Sequence, residues 1–205
     1  NGDGTFEAAA LYPAGSDPSW VDVGDLDEDG DLDLVTPNRG SSTIAVLLNN
    51  GDGTFGEHQT HQVERVPASV AMGDFDRDGH LDVVATNFAN TGKIRDNVSV
   101  LLGNGDATFK EQVFYEVGSN PIVVEVGDID RDGNLEIVSL NRNSGDISVL
   151  RPNGNGTFLP ELRFDIGANP KKAGLGDLDG NGSLDLVVVS NFDFVIRVRQ
   201  VCSGQ

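Results

Sequence analysis

The stretch "DLDEDGDLDLV" (25–35) crowds five aspartates and a glutamate into eleven positions and then runs into Leu34 and Val35. Aspartate is a poor strand former and neighbouring like charges repel, so a folded chain needs a compensating reason to carry it. The pattern returns as "DFDRDGHLDVV" (74–84), "DIDRDGNLEIV" (128–138) and "DLDGNGSLDLV" (177–187). In the first copy Asp25, Asp27 and Asp29 stand at positions one, three and five, Gly30 at six, Asp31 at seven and Asp33 at nine. Alternate carboxylates on a tightly turning backbone converge on one point, and the glycine permits the turn. Position nine is Asp33, Asp82, Glu136 or Asp185, always an oxygen donor. Position seven is Asp31, His80, Asn134 or Ser183. That indifference to side chain is what a ligand acting through its backbone carbonyl would show. An all-oxygen set with no requirement for Cys or His suits a hard cation, and Ca²⁺, with its flexible six to eight ligands, fits better than Mg²⁺.

The predicted ligands are therefore Asp25, Asp27, Asp29, Asp31 and Asp33; Asp74, Asp76, Asp78, His80 and Asp82; Asp128, Asp130, Asp132, Asn134 and Glu136; and Asp177, Asp179, Asn181, Ser183 and Asp185. One Ca²⁺ per loop, about four in all, is expected. The EF-hand does not fit, because it needs a bidentate Glu at position twelve between two helices. Position twelve here is Thr36, Ala85, Ser139 or Val188. In the fourth loop Asn181 replaces an acid at position five, so that loop is expected to bind most weakly. Asp-rich turns without metal are the simpler alternative, but turn chemistry explains one or two aspartates per loop and not alternate acids kept four times.

The loops begin at Asp25, Asp74, Asp128 and Asp177, in steps of 49, 54 and 49 residues. A second signature keeps step with them: "NGDGTF" at 1–6 and 50–55, "NGDATF" at 104–109 and "NGNGTF" at 153–158. A third precedes each loop, as in "DPSWVDVGD" and "VPASVAMGD". Within the first unit, 19–24, 32–36, 43–49 and 54–63 read as four short strands divided by Gly, Asn and Asp turns. The segment "KIRDNVSVLL" aligns with a strand, and "NFANTGKIRDN" (87–97) reads as a lengthened loop. Four antiparallel strands per unit of about fifty residues is the pattern of a β-propeller blade. The whole chain, 1–205, is expected to be one all-β propeller domain with units at about 13–62, 63–116, 117–165 and 166–205. Residues 1–12 are expected to supply a fourth strand that completes a blade. A closed small ring, a fragment of a larger ring and an open array all fit this pattern.

Composition agrees. The net charge of −19 argues against nucleic-acid or anionic-membrane binding through a basic surface. Fifteen of the 33 acidic residues occupy positions one, three, five and nine of the loops, so much of the charge belongs to sites. No apolar run is long enough to span a bilayer. The chain opens at Asn1 with neither a methionine nor a leader, as expected of a mature or trimmed piece. Cys202 is the only cysteine, which rules out an intrachain disulfide.

The pairing of the acidic loop with "NGDGTF" resembles the FG-GAP/VCBS repeat family, the blade unit of integrin α-subunit-type propellers. The likeness covers all but about the last ten residues, where "FDFVIRVRQVCSGQ" lacks the expected second signature. The resemblance implies a secreted or cell-surface propeller with Ca²⁺ between the first two strands of each blade. It also implies a role in adhesion or in recognition of a protein or carbohydrate ligand. A structural segment that self-associates into a larger ring or fibre, or scaffolds a separate catalytic domain, is the alternative. No enzyme is expected: His58, His61 and His80 are the only histidines, and no nucleophile motif occurs. Trp20 occurs once, at the first-strand position aligned with Ser69, Ile122 and Lys171, and is expected to pack near the axis. Asn97, Asn155 and Asn181 open formal glycosylation sequons, a pattern of low specificity in an Asn/Gly-rich chain.

Overall fold

The computed structural model describes residues 4–88, 96–190 and 196–199, the last four by their backbone alone. Among the described residues there are fifteen strands and no helix. The first sheet contains β1 (Asp22–Gly24), β2 (Asp33–Asn38), β3 (Thr43–Leu47) and β4 (Gln59–Gln62). The second contains β5 (Pro67–Gly73), β6 (Asp82–Asn87), β7 (Asn97–Leu101) and β8 (Val113–Glu116). The third contains β9 (Pro121–Gly127), β10 (Glu136–Asn141), β11 (Asp146–Leu150) and β12 (Leu162–Asp165), and the fourth β13 (Pro170–Gly176), β14 (Asp185–Ser190) and β15 (Ile196–Arg199). Every sheet is an antiparallel meander with neighbours in chain order. These sheets are the blades of a β-propeller.

The blades stack through side-chain alternation. Successive residues of a strand point to opposite faces, so one strand serves two cores. In β6, Val83 and Ala85 join Val35, Ile44 and Val46 of the first blade, whereas Val84 joins Val124, Ile137 and Leu150 of the third. A third core unites Val123, Val138, Leu140 and Ile147 with Leu186 and Val188 of the fourth blade. This explains why β7 and β10 are buried throughout: both of their faces are covered. The outer strands are edges, and β4 and β12 stay partly or fully exposed.

Three details differ from expectation. The segment predicted as one strand over 54–63 is a strand only at Gln59–Gln62; an isolated bridge between Asn49 and Phe55 precedes it. No strand forms over 4–12, and the fourth sheet has three strands among the described residues. The described residues of the segment 1–12 add no strand to that blade, and Phe6 and Leu11 lie almost fully exposed. Finally, Pro18, Pro67, Pro121 and Pro170 occupy equivalent places at the start of the inner strands. Counting from them aligns Trp20 with Ser69, Val123 and Lys172, one residue later than the expected Ile122 and Lys171. The segment 97–101 is a strand as expected, while most of the lengthened loop and Cys202 lie outside the described residues.

Candidate metal centres

Each acidic loop connects the first and second strands of its blade and turns twice through left-handed backbone. Position six is Gly30, Gly79, Gly133 or Gly182, with φ of 94°, 93°, 84° and 86°. Position four is also left-handed: Glu28, Arg77 and Arg131 have φ of 61°, 62° and 66°. Only the fourth loop signals this second turn in sequence, by placing Gly180 there. The double turn is held by the aspartates themselves. Position one accepts a hydrogen bond from the N–H of position six, as between Asp25 and Gly30 at 3.1 Å and Asp74 and Gly79 at 3.0 Å. Asp128 and Asp177 do the same for Gly133 and Gly182, at 3.0 and 2.7 Å.

Position five accepts from the N–H of position seven: Asp31 to Asp29 at 2.9 Å, His80 to Asp78 at 3.0 Å, Asn134 to Asp132 at 2.7 Å and Ser183 to Asn181 at 2.7 Å. The common element at position seven is thus its backbone, in keeping with the freedom of side chain there. Position nine is buried in every loop. Asp33 accepts from the N–H groups of Leu26 and Asn49, each at 2.9 Å, and Asp82 from Phe75 and Gly103, each at 2.7 Å. Glu136 and Asp185 accept from Ile129 and Leu178 at 2.8 and 2.9 Å. In the first two blades this carboxylate ties the loop to the turn that begins the second signature, which is why the two signatures share one spacing.

Carboxylate oxygens converge in all four loops. In each group one oxygen per residue lies within 4.8 Å of the others: Asp25, Asp27 and Asp29; Asp74, Asp76 and Asp78; Asp128, Asp130 and Glu136; Asp177, Asp179 and Asp185. Positions one and three belong to every group. Asp33, Asp82 and Asp132 fall outside, and Asn181 contributes an amide whose nitrogen donates to Asp179 at 3.0 Å. Within these groups, Oδ1 of Asp25, of Asp27 and of Asp128 is buried with no hydrogen-bond donor. A buried acceptor left unsatisfied costs about 1–3 kcal/mol, more if it is charged. A divalent cation would satisfy such oxygens, so the residues fit the group.

The electrostatics record the same strain. Burial, then the charges of Asp33 and Asp29, raises the pKa of Asp27 above its ordinary value. Burial likewise pushes Asp82 up to about 6, with Asp76 and Asp78 adding repulsion. Glu136 is pushed to about 7 by burial and then by Asp130, Asp132 and Asp128. In the second loop a side chain already supplies some positive charge: Lys110 Nζ lies 3.3 Å from Asp76 and 3.4 Å from Asp78. Lys110 was not predicted, because it follows the second signature and reaches the loop only through the folded hairpin. Glu28 is exposed and bonded to His80 of the next blade's loop, and that bond raises the pKa of His80.

The second signature has its own logic. Asp52 accepts from the N–H and hydroxyl of Thr54 at 2.9 and 2.6 Å, and Asp106 does so from Thr108 at 3.0 and 2.5 Å. These bonds, the hydroxyl's first, lower the pKa of both aspartates. The following Phe then packs edge-on against an earlier ring: Phe55 against Tyr12 and, between blades, Phe109 against His61 and Phe158 against Tyr115, with centroids 5.3, 4.8 and 5.4 Å apart.

A family model described as FG-GAP-like repeat matches residues 37–85 and 128–188, more than half of the chain. The chain belongs to the FG-GAP-like repeat family. No curated protein sequence matches it. Among solved structures, the FG-GAP-like repeats are similar to part of a mutant Tc holotoxin pore of Photorhabdus luminescens. That match has 18% identity and a TM-score of 0.50, covering 88% of this chain and 9% of the toxin chain. They are also similar to BBS1N in complex with ARL6DN, in a crystal soaked with mercury, at 13% identity and a TM-score of 0.59. That match covers 92% of this chain and 59% of the other. The chain therefore spans less than two thirds of either relative, and the likeness is one of fold.

Proposed function

We propose that this chain is an extracellular, non-enzymatic recognition module whose blades are braced by one Ca²⁺ in each acidic loop. The observation that carries the calcium assignment is the set of buried, donorless carboxylate oxygens on Asp25, Asp27 and Asp128, set among converging carboxylates repeated in every blade. The cation would be held by positions one and three of each loop, joined by Asp29, Asp78, Glu136 or Asp185. Its chemistry there is charge neutralisation. Binding only to the folded state would add RT ln(1 + [L]/Kd), roughly 2.7 kcal/mol per site at a hundredfold excess over Kd. Millimolar extracellular calcium would keep sites of modest affinity filled.

For recognition we propose the outer edge of the second and third blades. A cleft of about 280 Å³ there is lined by Phe114, Tyr115, Phe158, Leu159 and Pro160 with the carboxylates of Glu116 and Glu161. Aromatic faces beside hydrogen-bond acceptors suit the apolar face and hydroxyl groups of a sugar ring, or an aliphatic peptide side chain. A glycan array probed in calcium and again in EDTA tests the reading. Calcium-dependent capture that falls at least tenfold in Phe114→Ala supports it. Capture indifferent to both treatments, or none at all, contradicts it.

A further inference from the structure

The first three acidic loops share one plan and differ in how their carboxylates are satisfied. In the second loop both oxygens of Asp74, of Asp76 and of Asp78 accept a hydrogen bond. The N–H of Asp78 reaches Asp74 at 3.2 Å and Asp76 at 3.3 Å, that of Gly79 reaches Asp74 at 3.0 Å, and that of His80 reaches Asp78 at 3.0 Å. The remaining oxygens, Oδ2 of Asp76 and Oδ2 of Asp78, both accept from Lys110 Nζ, at 3.3 and 3.4 Å. In the first and third loops, by contrast, Oδ1 of Asp25, of Asp27 and of Asp128 stays buried without a donor.

The fold places this lysine. Lys110 directly follows the second signature, where the first blade has Gly56 and the third Leu159. All three residues are pinned at the same point of the hairpin by their own N–H groups: Gly56 donates to Leu48 at 2.9 Å, Lys110 to Leu102 at 2.7 Å and Leu159 to Arg151 at 2.9 Å. Asp82 ties that hairpin to the second loop by accepting from Gly103 at 2.7 Å. A side chain at this point stands beside the loop of its own blade, and of the three blades only the second puts an ammonium there. The Lys110 side chain is 46% exposed and that of Asp76 only 14%, so the lysine has open water to swing into while the carboxylate stays in place.

We propose that Lys110 is a built-in counter-ion of the second loop: its ammonium holds Asp76 and Asp78 together when calcium is absent and must swing away before a divalent cation can join them. An ammonium this close to two carboxylates offsets their mutual repulsion, and it repels any cation brought to the same oxygens. Lys110 therefore acts in two opposite senses. It stabilises the metal-free blade, and it lowers the affinity of the second loop for calcium below what the acids alone would give. The second effect rests on the calcium reading; the first does not.

Lys110→Met keeps the length of the side chain and removes its charge, whereas Lys110→Arg keeps the charge. In EDTA, Lys110→Met should melt about 1–3 °C below the wild type, and Lys110→Arg close to it. Binding at each loop is read by heteronuclear NMR during a calcium titration, from the N–H of the glycine at position six that is bonded to the acid at position one. In Lys110→Met the midpoint at Gly79 should fall by about threefold or more, while those at Gly30 and Gly133 stay in place. Lys110→Arg should return the Gly79 midpoint to that of the wild type, which a lysine that merely packs on the loop would not do. An unchanged melting temperature in EDTA, an unmoved midpoint at Gly79, or an equal shift at all of these glycines would each overturn the proposal. Glycine signals that ignore calcium in the wild type as well would bring down the calcium reading with it; a wild type that titrates confines the failure to Lys110.

Discussion

In the second blade Phe75 is 2% exposed, sealed between its own sheet and the third blade; in the fourth blade Leu178, at the same loop position, is 55% exposed. Both residues follow an acidic position one, and both donate their backbone N–H to the acid at position nine, at 2.7 and 2.9 Å. The local plan is identical and the burial is not. The loop conformation is thus set by its own hydrogen bonds, while its contribution to stability depends on the neighbouring blade. The same two blades also differ in chemistry, because the second loop has Asp78 where the fourth has Asn181.

The largest expected effect follows from burial. Phe75→Ala should destabilise the chain by about 3–5 kcal/mol, as loss of a buried aromatic does. Leu178→Ala, measured on dilute single chains, should change stability by less than about 0.5 kcal/mol. Urea denaturation of the two variants checks this, and equal losses would break the comparison.

The next effect is on the ion. Asn181→Asp restores the missing charge and should tighten the fourth site roughly tenfold, about 1.4 kcal/mol. Asp78→Asn should weaken the second by a similar factor. Calorimetric titration of each variant reads the change, and a fourth site that already equals the others would remove the distinction.

A smaller effect is carried by pH. Asp82 rises from 3.8 to about 6 and Glu136 from 4.5 to about 7 in the folded chain, chiefly through burial. A raised pKa means that the folded state holds the proton more tightly than the unfolded state. In the metal-free chain their stabilising contribution is therefore complete below about pH 4 and lost as pH climbs through about 6 and 7. Calcium favours the ionised forms, so the rise in melting temperature on adding it should grow across that interval. Asp82→Asn removes one of the two titrating groups, so the pH dependence should be shallower in that variant. A calcium effect that is flat between pH 4 and 7 would count against these two groups.

Much of the blade plan was legible because it recurs. Period-two alternation, the glycine at position six and the conserved step between signatures each reflect a local requirement that one segment meets by itself. The acids at positions one and three were legible for the same reason. Features that depend on a neighbouring blade were not. Glu28 looks solvent-facing until the next loop brings His80 to it, and Lys110 looks like an ordinary surface lysine until the hairpin folds it over Asp76 and Asp78. Asp33 and Asp82 looked like ligands of the same kind as Asp25. In the fold both of their oxygens accept backbone N–H groups, a role that shows only once the following turn is in place. The segment 1–12 carries the signature of a fourth strand, yet its described residues 4–12 form none, because a strand needs a partner edge.

The central claim is that the four acidic loops hold calcium and that the ion braces the fold. It is tested most directly by calorimetric titration of calcium into the chelated chain, with a melting curve recorded at each addition. About four ions should bind per chain, one more weakly than the others, and the melting temperature should rise with filling. An absence of binding heat, together with melting curves that superimpose in calcium and in EDTA, would contradict the account.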